Sequence, residues 1–408
     1  MTASTKQPPK PITLQLKALT PVSVLNGQQI AAFTDYLFIE DDICLLNHKR
    51  ISDRLRAKDD LDLVEAYTGI LNKITDTRFR NIRRNDRNAR ALTDFLENDL
   101  LLDAEDYIQH RIPYEGDGEP TIQLKTIVKN HKSPFIPGST LKGAIKNAMA
   151  YHWLAYDQFE GMQVLDRIIG ILRGKESVEA KFVRLNRADS QGTAPMKQIN
   201  AWLWEDFKRD ASKHNWRISV SDCSPCQPDD LFVYETKLYQ IKKQQLQIPE
   251  LREGIAPKST ASFTLTFNTL NERSKWNISK VYKALQTFAR DNLNEDQDSL
   301  NAAIKDPNEE VAEVLNGFYD EMQEVLKAKD KTLMRLGRGK SYYHNSIGLA
   351  IKNKAPELLS TWRKVYRLYR KMPEEVSSKY FPLTRTVDTM DLEPFGWVEL
   401  TFPKNQIQ

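Results

Sequence analysis

Gly339-Lys340-Ser341 sits inside "RLGRGKSY" (Arg335 to Tyr342), and Gly-Lys-Ser is the ending of a loop that cradles nucleotide phosphates on backbone N–H groups. The full cradle needs a glycine five positions before Gly339, where this chain has Met334, and a buried parallel strand leading in. The preceding "VLKAKDKTL" alternates charge and lacks the Val/Ile run of such a strand, so NTP hydrolysis is not expected. Two glycines flanked by Arg335, Arg338 and Lys340 still make a basic, yielding loop suited to a polyanion.

A second candidate anion site lies in "SPFIPGSTLKGAIKNAMAYHWLAY". Pro137 and Gly138 predict a turn and Ser139 an N-cap, while Leu141, Ile145, Met149 and Trp153 predict the buried stripe of a helix. Lys142 and Lys146 stand one turn apart near its start, where free N–H groups and the helix dipole both attract phosphate. A solvated first turn would carry the same residues. In "RFRNIRRNDRNAR" six arginines crowd between Arg78 and Arg90, with Arg83 and Arg84 at the centre. This run reads either as a solvated helix face or as an arm that tracks phosphates.

Catalytic chemistry is poorly represented. The six histidines, His48, His110, His131, His152, His214 and His344, share no spacing that pairs an acid with a base; His344, just after the glycine loop, is the one to follow. Glu40 to Asp42 offer clustered carboxylates, but a hairpin turn accounts for them. Cys223 and Cys226 form a C-x-x-C pair without two further ligands at zinc spacing, and read as ordinary loop cysteines.

The elements that must position these groups follow from periodicity. Residues 1–10 read as a disordered tail, with neither a signal-peptide core nor a run of about 18 apolar residues anywhere in the chain. The chain therefore reads as soluble and cytoplasmic. With 59 basic against 55 acidic residues, any nucleic-acid surface must be made by local clustering. "PITLQLKALTPVSV" and the hairpin "DYLFIEDDICLL" read as strands, and residues 52–115 as a helical insertion. "TIQLKTIVKN", "NWRISVSD", "LFVYETKLYQIKK" and "SFTLTF" read as further strands, the second half beginning near residue 230. Helices at "SKVYKALQTFARD", "NEEVAEVLNGFYDEMQEVL" and "PELLSTWRKVYRLYRKM" precede a closing strand in "PFGWVELTF". The result is an α+β protein of two halves, 11–228 and 229–408.

Four phrases, "LTPVSVLNG", "FIPGSTLKGAIKNAM", "RLGRGKSYYHNSIG" and "FPLTRTV" with "GWVEL", together resemble the RAMP superfamily of CRISPR-associated proteins. Within it, the late "LGRGK" loop with "PLTRTV" and "LREGIAPKSTASFTLTF" is most similar to the type III-A (Csm) effector subunit family that caps the crRNA 3' end, conventionally counted fifth. The Arg78–Arg90 run, the Cys223/Cys226 pair and Lys258-Ser259, where Pro-Gly is more typical, fall outside the resemblance. It implies two RRM-like (ferredoxin-like) domains, 11–228 with the helical insertion and 229–408 with the glycine-rich loop at 335–341. It further implies an RNA-binding, non-catalytic subunit without cofactor or metal, acting in guide maturation, assembly and antiviral defence. The phosphate contacts it implies are Gly138, Ser139, Lys142 and Lys146 at one place and Arg335, Gly337, Arg338, Gly339 and Lys340 at another, with Arg385 besides. Implied partners are crRNA, nearby target RNA, the repeated backbone subunit, the small subunit and host nucleases. Target cleavage belongs in that family to the backbone subunit, so Asp35, the positional analogue of its aspartate, is implied not to cut. The alternative is a RAMP endoribonuclease that processes precursor RNA with a histidine.

Overall fold

The computed structural model describes residues 11–77, 90–118, 120, 123–187, 194–203, 218–267, 277–306, 309–370, 382 and 384–407. The tail 1–10 and the arginine run up to residue 89, including Arg83 and Arg84, lie outside the described residues.

Alternation in "ITLQLKA" buries Leu14, Leu16 and Ala18 on one face of β1 (Ile12–Ala18). β1 is the centre of a five-stranded antiparallel sheet. On one side it pairs with β12 (Thr260–Phe267), Leu14 facing Phe263, and β12 pairs with β9 (Ile218–Val220). On the other it pairs with β15 (Trp397–Thr401), Leu16 facing Leu400, and β15 pairs with β13 (Lys331–Arg335). The apolar face of this sheet shares a core with Leu141, Ile145 and Met149 of the helix Gly138–Tyr156 and with Val281 and Leu285 of the helix Ile278–Ala303. The stripe read from sequence in the first of these helices is thus its buried face.

A second, mixed sheet runs β2 (Leu25–Ile30), β6 (Leu124–Ile127), β11 (Gln245–Ile255), β10 (Leu231–Gln240), β5 (Ile108–Glu115), β4 (Asp42–Leu46), β3 (Tyr36–Ile39), with β14 (Thr384–Asp388) also on β10. The β3–β4 hairpin turns at Glu40 and Asp41, both at positive φ, as a tight two-residue turn demands. Both of these sheets draw strands from either side of residue 228/229, so the two halves are interleaved in them; among the described residues a two-stranded ladder of Lys129–Asn130 with Ser133–Pro134 stays within one half. Where the helical insertion 52–115 is expected, helices run from His48, and 108–115 is strand β5, paired to β4 and β10. These helices close a separate small core through Ile51, Leu55, Leu92, Phe95 and Leu96 under the β3–β4 hairpin.

Two local expectations are corrected. A buried strand, β13, does lead into the glycine loop; its charged flank hid it, because Lys331 caps an otherwise buried "TLMR". It is antiparallel and is followed by a 3-10 turn at Gly337–Gly339 instead of a helix, so no nucleotide cradle forms. Where the family pattern has Pro-Gly, Lys258 stands at the proline position, takes φ 71°, which proline cannot adopt, and donates its N–H to the Ala18 carbonyl.

Candidate nucleic-acid interface

Three segments distant in sequence converge on one open cleft of about 530 Å³. Residues 23–25 lead into β2, and the helix Gly138–Tyr156 contributes Ser139, Thr140, Gly143, Lys146 and Asn147. Gly337, Arg338, Lys340 and Asn345 of the glycine loop close the third wall.

Close backbone packing fixes this junction. Gly337 sits at φ 63° and a Cβ there would collide with the Ser23 carbonyl, which also accepts the Arg338 N–H at 3.2 Å. A Cβ on Gly339 would collide with the Phe395 carbonyl. Both glycines are therefore required by how the loop docks on neighbouring backbone, and neither is a bare approach path for a ligand. Gly138 is similar: a Cβ would lie 2.6 Å from the Val220 and Ser221 carbonyl oxygens.

The helix start differs from expectation. Pro137, extended at ψ 139°, takes the N-cap position; Ser139 lies in the first turn on the cleft wall and does not cap. The Asp222 carboxylate accepts the Gly138 N–H at 2.6 Å, so the positive end of the helix already faces an internal anion. The positive charge on this side comes instead from the lysines along the first two turns, of which Lys146 lines the cleft and Lys142 does not. Burial lowers the Lys142 pKa, and the neighbouring Lys146 charge lowers it further; burial likewise lowers Lys146. Lys340 is lowered by burial, and among the described residues no carboxylate makes an ion pair with it. Such partly desolvated ammonium groups gain more from an incoming anion than fully hydrated ones. Arg338, about half exposed, reaches Glu250 at 3.6 Å and remains at the cleft rim.

Arg335 and Arg385 do not belong to this surface. Their side chains are 1% exposed and both grip Asp296, Arg335 Nη1 at 3.3 Å from Oδ2 and Arg385 Nη2 at 3.2 Å from Oδ1. Arg335 Nε also donates to the Phe395 carbonyl, and Arg385 donates to Ser299 Oγ and Tyr319 Oη. β13 is buried on both faces, so Arg335 lies in the core whichever way the pleat turns it, while Arg338 stands in the 3-10 turn beyond the strand and stays out. Arg335 anchors the base of the glycine loop, and Arg385 ties β14 to the same buried carboxylate.

His344 is buried against Phe288 and Trp397, with Nδ1 2.8 Å from Ser341 Oγ. Burial, then the Arg335, Lys340 and Arg385 charges, hold its pKa well below the usual range, so the ring is neutral and sealed from a surface substrate. Asp35 accepts the Ala31 N–H at 2.6 Å and lies 3.5 Å from His48, a loop-ordering role. Burial pushes the Cys223 thiol up to about 12 and Cys226 up to about 11, each cysteine N–H being donated to a core carbonyl, Ile136 or Pro134. These thiols are packing groups in their present protonation state. Among the described residues no helix is long and apolar enough to cross a membrane.

Sequence reasoning missed residues 23–25, Thr140, Asn147 and Asn345. The first lie in "LTPVSVLNG", which the family resemblance had already marked, whereas the asparagines carry no charge and no spacing to betray them.

The RAMP superfamily model matches residues 15–344. A curated protein of Methanocaldococcus jannaschii, described as "CRISPR system Cms protein Csm5", is 24% identical over 421 residues, spanning 96% of this chain and 89% of that protein. Among solved structures, a chain of a Csm-crRNA-target RNA ternary complex from a type III-A CRISPR-Cas system superposes with a TM-score of 0.65 at 19% identity, covering 96% of this chain and all of that one. Csm5 of T.onnurineus superposes with a TM-score of 0.59 at 19% identity, over 94% and 99% of the two chains.

Proposed function

Because the chain belongs to the RAMP superfamily, we propose that it is an RNA-holding subunit of a type III-A (Csm) CRISPR effector complex, binding the 3' region of crRNA at the end of the backbone filament. The observation that carries this reading is the cleft: helix lysines and glycine loop, far apart in sequence, present Lys146, Arg338 and Lys340 to one space. Phosphates supply affinity without sequence, which suits a subunit that must hold any guide. The relatives named for Csm proteins and the Csm-crRNA-target RNA neighbour favour the same assembly. Crossing partners in this reading are crRNA, target RNA, the backbone and small subunits, and nucleases that trim the guide, in the cytoplasm.

The strand order supports one RRM-like unit. β1, a helix, β9, β12, a helix and β15 lie in space as β15-β1-β12-β9, the order of a ferredoxin-like βαββαβ unit, with β13 added outside β15. Its helix Gly138–Tyr156 is the one that brings Lys146 to the cleft.

The competing reading, a precursor-processing endoribonuclease, needs a histidine at the RNA, and His344 is buried and neutral. Affinity purification of the tagged chain from cells that carry its operon tests the proposal. A multi-subunit particle holding short RNAs with one 5' end and stepped 3' ends is the expected product; a chain recovered alone and free of RNA overturns it. Specific cleavage of labelled repeat RNA by the pure chain, lost in His344→Ala, would favour the nuclease instead.

A further inference from the structure

Beside its cations the cleft holds two side-chain amides whose orientation is set by chemistry. Asn147 Nδ2 donates to the His344 carbonyl at 3.1 Å, and Asn345 Nδ2 donates to the Ser341 carbonyl at 3.3 Å. A carbonyl can only accept, so in each amide the nitrogen is the tethered atom and Oδ1 is left without a protein donor among the described residues. Both amides line the cleft, Asn147 next in sequence to Lys146 and Asn345 on the same loop as Lys340.

Acceptor oxygens are of no use to a phosphate, which offers only acceptors itself at neutral pH. A site for phosphate alone would gain nothing from two of them among its lysines. They call for a ligand that carries a hydrogen-bond donor close to its phosphate, and in a nucleic acid the group that meets this description at every position, whatever the base, is the ribose 2'-hydroxyl. The volume of the cleft, about 530 Å³, is in the range of a small-molecule site and admits a sugar together with its phosphate.

We propose that this cleft selects ribose over deoxyribose: the Asn147 and Asn345 side-chain oxygens accept from a 2'-hydroxyl while Lys146 and Lys340 hold the adjoining phosphate. The proposal rests on the RNA-holding role above and adds the means by which the chain refuses single-stranded DNA. Asn147 and Asn345 are specificity residues here, the lysines supplying sugar-blind affinity.

Fluorescence anisotropy with the full chain and one single-stranded sequence, synthesised as RNA, as DNA and as 2'-fluoro RNA, tests it. The 2'-fluoro strand keeps an RNA-like sugar shape but has no donor. Wild type should bind RNA about tenfold more tightly than the other two, the worth of one or two hydrogen bonds. Asn147→Ala with Asn345→Ala should bring RNA down to the 2'-fluoro level and leave DNA and 2'-fluoro binding unchanged. Asn345→Ala alone, at an exposed side chain, should give part of that loss and serves if the double variant fails to fold. Equal wild-type affinity for RNA and 2'-fluoro RNA overturns the proposal, as does a preference that follows base identity in uridine-only against adenosine-only strands. Lys146→Ala with Lys340→Ala separates the two levels: it should weaken all three strands alike. If it changes none of them, the RNA-holding role of the cleft falls, and the sugar selection with it.

Discussion

Arg335 Nη1 lies 3.3 Å from Asp296 Oδ2 with both side chains 1% exposed, and Arg385 holds the other oxygen of the same carboxylate. One buried anion thus clamps two cations that open the two most selective family phrases, the glycine loop and "TRTV". Removing one member of such a group leaves uncompensated buried charge, at a cost of about 3–5 kcal/mol. Asp296→Ala should therefore unfold at much lower denaturant, read by urea titration with circular dichroism. Arg335→Ala should behave likewise. A folded, stable Arg335→Ala protein that has lost RNA affinity would return Arg335 to the interface.

The glycines separate by what surrounds them. Gly337→Ala meets the Ser23 carbonyl at an already left-handed φ, and Gly339→Ala meets Phe395, so each should cost about 1–3 kcal/mol and weaken RNA binding through a displaced loop. Gly143→Ala meets nothing within 4 Å in its helix. It should raise stability by up to about 1 kcal/mol while adding a methyl to the cleft wall. Thermal melting of the three variants checks the contrast.

Lys142 and Lys146 should act on affinity without regard to sequence. Lys142→Ala with Lys146→Ala is expected to flatten the plot of log affinity against log salt by about one to two charges. An unchanged slope would remove both from the RNA path.

Lowered lysine pKa values give a signed pH dependence. Burial depresses Lys142, Lys146 and Lys340 below the ordinary 10.5, so between those lowered values and 10.5 the unfolded chain binds more protons than the folded one. Fold stability contributed by these groups rises with pH across that window, while RNA affinity, which needs the charged form, falls across it. Lys340→Met should reproduce both effects at neutral pH: a higher melting temperature and weaker RNA binding. Anisotropy and melting curves on the same samples decide it.

Lys258 holds φ 71° where glycine would pay no steric cost. Lys258→Gly should stabilise the fold by about 1 kcal/mol, measured by urea titration.

Much of this was legible in the sequence because it depends on period. The stripe Leu141, Ile145, Met149 and Trp153 fixes which face of its helix is buried, and so puts Ser139 and Lys146 on the open side. The β3–β4 hairpin follows from "FIEDDI". Charge alone could not say where Arg335 and Arg385 point, since a guanidinium in the core and one at an RNA read identically until the pleat and its partner Asp296 are known. The Asp222 carboxylate on Gly138 spans 84 residues, and no local pattern announces a contact of that range. The interleaving of the halves was hidden for the same reason: strand pairing across the chain leaves no mark on composition.

β1 lies between β12 and β15, with Leu14 against Phe263 and Leu16 against Leu400. During synthesis the second strand of the ribosome's product that can pair with β1 on its β15 side emerges only after residue 401. Until then an apolar edge at Leu14 and Leu16 stands open, and a pairing this distant closes slowly against loop entropy. The chain is therefore least protected while nascent, and its demand for chaperones or early partners should fall on the span between translation of β12 and translation of β15.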